Sequence, residues 1–505
     1  MKYYRFYIFI ILFLIPSAYS YSQNYSKIEY SADRLEKHPS MPDVMILYGN
    51  VVFSHQGSNL YSDSAYLFTI ENRIEAQGHV QIRVSDTVQI YGDNMRYDGN
   101  TRFAEVTGKM VRLVDDDATL TTTILTYDRN AGLATYLNGG KIVDKENVLT
   151  SKIGYYYTSS KEVYFKKEVL LVNPKYTIDC DTLLFNSHTE IAYFLSPTHI
   201  RSKDNLIYCE NGWYNTKTDF SQFGRNAYLK NKEQLLKGDS LTYNRKLKLG
   251  KAWKNVSLAD SVKNIILSGQ YAENYEKKGR ALITDSVLAI FIDKKDSLFL
   301  HADTLRATYD TTNQLKLLRA YYKVKFYRED IQGMCDSMSY YAPDSIMVLH
   351  KKPVLWSGEN QLSADTIRFI MGENRIKQMF LYNSSFVISQ GKEDSLRFDQ
   401  VKGRNMTGFF DEKGELHRIE VSGNSESIYY VLDDATKDLI GINKTVSSDM
   451  LIFIENRKII SNTAINNPSC VMYPEKEFPV NESKLKGFIW MKLFRPMSKW
   501  DIFRW

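Results

Sequence analysis

Apolar and polar positions alternate along much of the chain in short runs, and the runs are closed by turn residues. A Gly or turn residue followed by alternating positions recurs as Gly49 with Val51 and Phe53, Gly78 with Val80 and Ile82, Gly108 with Met110 and Arg112, and Gly140 with Ile142. A period of two predicts strands with one face turned inward. Asp-Ser, Asp-Thr, Asn-Gly and Gly-Asn pairs separate the runs, and Asx side chains at such places bond the following backbone and favour turns.

A second pattern lies between these copies: a small residue, Asp, any residue, an apolar residue, any residue, then Tyr or Phe. It reads GDNMRY from Gly92, CDTLLF from Cys180, GDSLTY from Gly238, CDSMSY from Cys335 and ADTIRF from Ala364, with looser copies at Ser62 and Ala302. The aromatic positions Tyr97, Tyr127, Tyr156, Phe185, Tyr214, Tyr243 and Tyr271 follow at intervals of 30, 29, 29, 29, 29 and 28 residues. A fixed period in this range predicts stacked units, none of which buries its apolar face alone. About a dozen such units fit between Ile28 and Pro474, so an elongated, repetitive all-β fold is expected. The spacing loosens after Tyr271 and breaks between Phe369 and Gly403. The expected organisation is a leader at 1–20, repeats over 21–319, a continued or second β body over 320–480, and a distinct tail at 481–505.

Composition supports this reading. The 505 residues include 36 Tyr and 25 Phe against 11 Pro, and aromatic side chains suit a half-buried pleated surface. The net charge of +6, from 65 basic and 59 acidic residues, has no dense basic run behind it. Nucleic acid is therefore not an expected partner.

Lys2 and Arg5 precede an apolar stretch, Phe6 to Ile15, and a small-residue site at Ala18, Tyr19 and Ser20. This reads as a cleavable secretory signal, because about ten apolar residues fall short of the roughly twenty that span a bilayer. The mature chain is expected to be soluble and exported. Cys180 and Cys335 precede the Asp of the repeat, where Gly and Ala stand in other copies, and are read as small buried side chains. Cys209 and Cys470 complete the set, with no zinc-like spacing. The tail mixes Lys484, Lys486, Lys492, Arg495, Lys499 and Arg504 with Phe488, Trp490, Phe494, Trp500, Phe503 and Trp505. That mixture suits a membrane interface or a partner groove, and equally a packed terminus.

Catalytic signatures are missing. The chain has no Gly-rich phosphate loop, no Gly-x-Ser-x-Gly elbow and no His-Glu-x-x-His helix, and its eight His are scattered. Asp115, Asp116 and Asp117 offer too few oxygens for Ca²⁺ and read as a solvated turn. His55 and His79 read as surface residues. No catalytic residue, metal ligand or cofactor is expected.

The signal, the Gly-x-Val strands and the Ala/Gly-Asp-x-apolar-x-Tyr strands together resemble the OstA-like family, which includes the lipopolysaccharide-bridge protein LptA and the N-terminal part of LptD. The resemblance is clearest over Ile28 to Asn244 and Ala302 to Phe369. It implies a β-jellyroll, a V-shaped two-sheet stack whose apolar interior shields the acyl chains of lipopolysaccharide in the periplasm. On that reading Val51, Phe53, Val80, Ile82, Met95, Tyr97, Leu183, Phe185, Leu241, Tyr243, Ile367 and Phe369 line the lipid groove. The same alternation serves a dry, filled core. Partners implied are lipopolysaccharide, other Lpt-type jellyrolls paired at open strand edges (Ile28 to Val52 and Ser448 to Ile460), and a membrane surface at the tail. The chain is much longer than a bridge domain and lacks the translocon's barrel. Competing expectations are an exported glycan-active enzyme on a parallel β-helix and a surface scaffold without a lipid ligand.

Overall fold

The computed structural model describes residues 26–505 apart from 116–117, 145, 294–295, 313, 373–374, 392–395, 413–414, 434, 437 and 456–457. The leader at 1–20 and the side chains of Asp116 and Asp117 lie outside the described residues. Those described form 36 strands and five short 3-10 helices. They fall into two compact units that meet in sequence at Lys166 and Lys167.

In the first unit the strands Met41–His55, Ser58–Phe68, Arg73–Arg83, Val88–Asp98, Phe103–Asp115 and Ala118–Asp128 each pair antiparallel with the next. Consecutive strands joined by short turns give this order at low entropic cost. The parallel β-helix reading is thereby overturned, because a β-helix needs parallel neighbours. Each strand slips register near its middle, as between Gln77 and Val80 opposite Asn94 and Gly92. A bulge of this kind bends the strand and lets its two halves face one core. Leu47, Ile74, Met95 and Val106 from one set of halves pack in a single cluster with Phe53, Leu60, Ile90 and Leu113 from the other.

The bends explain the repeated Asp. Paired residues with left-handed backbone stand at Gly49/Asn50 and Gly78/His79, and in the second unit at Arg225/Asn226, Lys254/Asn255, Tyr322/Lys323 and Lys351/Lys352. The motif Asp of the adjoining strand caps several of these corners, and Glu210 takes its place at Arg225/Asn226. Asn50 Nδ2 donates to Asp33 Oδ2 at 2.9 Å, the Lys109 amide to Asp93 Oδ2 at 2.8 Å, and Asn255 Nδ2 to Asp239 Oδ1 at 3.1 Å. His79 Nδ1 lies 2.7 Å from Asp63 Oδ2. Gly108 opens a wider corner, with the register slipping between Thr107 and Val111, so Val111 and Leu113 turn inward. Met110, expected to point inward, is exposed.

The second unit, Lys167–Trp505, continues the same construction. Strands from Phe220–Lys230 through Leu315–Tyr327 pair in sequence order, and pairing runs without a gap through the stretch where the spacing loosens. One inward row passes strand to strand in register through Leu183, Phe194, Gly212, Phe223, Leu241, Ala252, Ala272, Ile283 and Leu305. Tyr271 departs from the ladder expected of it. It pairs with Trp253, ring centroids 5.8 Å apart, on the face opposite Ala252 and Ala272. The position equivalent to the motif aromatic is Asn274, five residues after the small Gly269.

Candidate functional site

In the first unit the sequence-predicted residues Val51, Phe53, Val80, Ile82, Met95 and Tyr97 come together in one cluster and are all buried. Tyr97 is fixed at its rim, its hydroxyl 2.7 Å from His55 Nδ1, with His55 Nε2 2.9 Å from the Ser26 carbonyl. His55 is therefore a buried bridge and not the surface residue expected. Burial lowers its pKa and raises that of the Tyr97 phenol. His79 is exposed, as expected. A depression of about 520 Å³ on this unit is lined by Arg73, Arg96, Asp98, Thr101, Phe103, Glu105 and Asp128, a charged surface unsuited to an apolar ligand.

The second unit differs in how far its inner face is covered. Leu183, Leu241, Ile367 and Phe369 are buried, Phe185 is half-buried, and Tyr243 is 37% exposed. Phe185 and Tyr243 stand in one inward row with Ala192, Tyr214 and Ser221. Tyr214 is also half-buried. Its hydroxyl donates to Asp219 Oδ1 at 2.9 Å, and burial together with that carboxylate pushes its pKa up to about 12, so it stays neutral.

Across the bends the inward row runs Ile178, Ile200, Ile207, Leu229, Leu236, Leu258, Leu267, Ala289, Leu300 and Phe326, each directly opposite the next. Ile178 is buried at one end, and Ala289, Leu300 and Phe326 at the other. The six between, Ile200 to Leu267, are only half-buried. These aliphatic residues were not singled out from sequence, because they lie on the far side of each bend from the aromatic motif. The signal available was the apolar pair or triplet in NLIY, YLK and QLLK, repeating at the same period.

Titratable groups do not gather here. Asp115 of the acidic triplet is an ion-pair partner, 2.7 Å from Lys161 Nζ, and accepts from the Tyr156 hydroxyl. Among the described residues no three His, Cys, Asp or Glu side chains are placed to hold a metal. The four cysteines are unpaired. Cys335 is buried, as expected of it, and Cys180 is half-buried. Burial pushes Cys180 up to about 11 and Cys209 and Cys335 to about 12, leaving inert thiols.

An all-β chain of bent antiparallel strands, with an apolar inner face partly uncovered, invites comparison with known families. A model of OstA-like proteins matches residues 27–181, and a model described as the LptA/LptD N-terminal domain of lipopolysaccharide transport proteins matches residues 268–375. Over these two stretches the chain is OstA-like, of the LptA type. Among solved structures it is similar to LptH of Pseudomonas aeruginosa, the LptA-homologous periplasmic component of a lipopolysaccharide transport device. The two are 13% identical, the match covers 23% of this chain and 82% of LptH, and the TM-score is 0.20. A comparison with the sequences of curated proteins found no match. The two matches flank residues 182–267, which hold all six half-buried residues of the aliphatic row.

Proposed function

We propose that this OstA-like protein is exported to the periplasm, where it binds lipopolysaccharide and shields its acyl chains on the way to the outer membrane. The observation that carries the reading is the row Ile200, Ile207, Leu229, Leu236, Leu258 and Leu267, six inward aliphatic side chains in register that keep contact with solvent. A folded chain gains by covering such a row, and each acyl methylene laid on it contributes about 0.8 kcal/mol. The half-buried Phe185 and Tyr214 and the exposed Tyr243 offer a second apolar row across the bends. In this reading Leu183 and Leu241 floor the groove. Val51, Phe53, Val80, Ile82, Met95 and Tyr97 are the packed core that holds the first unit's strands, and Ile367 and Phe369 do the same in the second. No catalytic step is assigned to the protein.

Partner jellyrolls would join at open edges. Glu29–Ser31 and Arg34–His38 pair with Met41–His55, and Ser469–Tyr473 with Leu439–Glu455, leaving backbone groups at these strands for a further strand. The test is photo-crosslinking from positions 236 and 258 in the full chain. Crosslinks to lipopolysaccharide in native cells, together with loss of newly made lipopolysaccharide from the surface on depletion, are expected. Unchanged surface delivery after depletion overturns the transport reading and favours a scaffold.

A further inference from the structure

The segment after Tyr473 turns back over the second unit and crosses its strands on their outer side. Phe478 packs on Tyr473, with ring centroids 5.3 Å apart. Leu485 is held through its amide, which donates to Gln400 Oε1 at 2.9 Å, while Gln400 Nε2 donates to the Ser483 carbonyl at 2.8 Å. Gln361 repeats the arrangement, receiving the Met491 amide and donating to the Ile489 carbonyl, both at 2.7 Å. Farther on, Arg495 Nε donates to Gln332 Oε1 at 2.9 Å, and Phe503 packs on His301 at 4.6 Å. Gln332, Gln361 and Gln400 are all buried and make these bonds from three separate strands. Their register partners Trp356 and Ile388 share the covered face, while Leu355 and Leu362 point to the opposite one. Gln361 and Gln400 satisfy the backbone of a fixed segment that has no ladder of its own, and Gln332 holds the Arg495 side chain.

Once pinned this way, the segment presents its other side to solvent, and that side is apolar. Leu493 is 98% exposed, Met497 69%, Ile489 65% and Trp500 64%, with Phe494 and Trp505 also exposed. Lys484, Lys486, Lys492, Lys499 and Arg504 are exposed among them. From Lys484 to Trp505 the segment holds six basic residues and a single acid, Asp501, which is engaged by Ser498 and Arg504. Exposed apolar side chains interspersed with cations are unfavourable in water and complementary to a surface with anionic headgroups above hydrocarbon. A protein partner is the lesser fit, because the charged residues are interspersed among the apolar ones instead of forming a rim around a dry centre.

We propose that residues 484–505 are a membrane-docking face, which seats the second unit on an anionic bilayer through Ile489, Leu493, Phe494, Met497 and Trp500, with the lysines on the headgroups. This goes beyond lipid carriage and does not depend on it, since none of these residues belongs to the half-buried row. The test is flotation of the full mature chain with vesicles of phosphatidylcholine alone and of phosphatidylcholine containing phosphatidylglycerol. Binding to the anionic vesicles is expected to weaken at least tenfold at high salt and at least tenfold in Leu493→Glu/Trp500→Glu, two exposed positions whose change leaves the fold in place. Lys486→Glu/Lys492→Glu is a second, independent variant and is expected to abolish the preference for anionic vesicles. No binding to anionic vesicles, or binding that both variants retain, overturns the proposal. Lipopolysaccharide binding, measured on the same variants, is expected to match the unaltered chain, so failure of the docking face and failure of the lipid reading are told apart.

Discussion

The corner-capping Asp shows how one side chain sets the geometry of a repeat. Asp93 Oδ2 receives the Lys109 amide where the neighbouring strand bends, and no ladder bond replaces it. Asp93→Ala is expected to destabilise the first unit by about 1–2 kcal/mol in urea unfolding, with Asp93→Asn closer to the unaltered chain. Gly78 stands at φ 79°, with Asp63 Oδ2 only 2.3 Å from where a Cβ would sit, so Gly78→Val should cost more than the loss of one cap. The motif Asp was legible in the sequence as a structural residue. The corners were not, because Gly-Asn, Gly-His, Arg-Asn, Lys-Asn and Tyr-Lys all occupy them and share no side-chain chemistry. Asp399 carries a pH effect of definite sign. Burial raises its pKa from 3.8 to about 6 despite the bond from the Tyr430 amide. The fold therefore favours the protonated acid: the stabilisation is complete below about pH 4 and lost as pH rises through 6. Asp399→Asn is expected to raise stability at pH 8, with a ceiling of about 3 kcal/mol, and to change little at pH 4. A gain of equal size at both pH values would disprove the assignment.

Exposure divides the inward face of the strands into two kinds of position. In Arg73–Arg83 the inward Ile74 and Ile82 are buried in a closed core. In Gln234–Asn244 the inward Leu241 is buried while Leu236 is half-buried. Ile74→Glu should therefore unfold the first unit, since an unpaired carboxylate in a closed core costs several kcal/mol. Leu236→Glu should leave the fold intact by circular dichroism and reduce lipopolysaccharide binding at least tenfold. If Leu236→Glu instead unfolds the chain, the row is core and not groove. Period-two alternation made the inward faces legible for Met95 with Tyr97 and for Leu183 with Phe185. It carried no information on whether a second layer covers them. Spacing also failed at Tyr271, where keeping near 29 residues chose the wrong aromatic. The strand there carries Gly269, Ala272 and Asn274 on its inner face, so the ladder's bulky position is vacated by a substitution that periodicity alone does not see.

At the scale of the molecule, pairing between neighbouring strands matters most. Every strand in the run Met41–His55 to Ala118–Asp128 pairs with its sequence neighbours, so stabilising contacts are local and a repeat chain of this kind loses structure by neighbourhoods. Phe53, fully buried in the first unit's cluster, provides the test. Phe53→Ala should cost that unit about 3–5 kcal/mol through lost burial and the cavity left behind. Hydrogen exchange should show the loss as faster exchange of amides in Met41–His55 and Ser58–Phe68. Amides in Ile376–Gln390 and Leu416–Leu432, which belong to the second unit, should keep their protection. Added lipopolysaccharide should give the converse pattern in the unaltered chain, slowing exchange in Phe220–Lys230, Gln234–Asn244, Leu249–Asp260 and Ile265–Tyr275, which carry Leu229, Leu236, Leu258 and Leu267, before strands outside the row. Uniform protection along all strands on adding lipid would mean that it binds no particular segment, and would remove the reason for placing the acyl chains on the half-buried row.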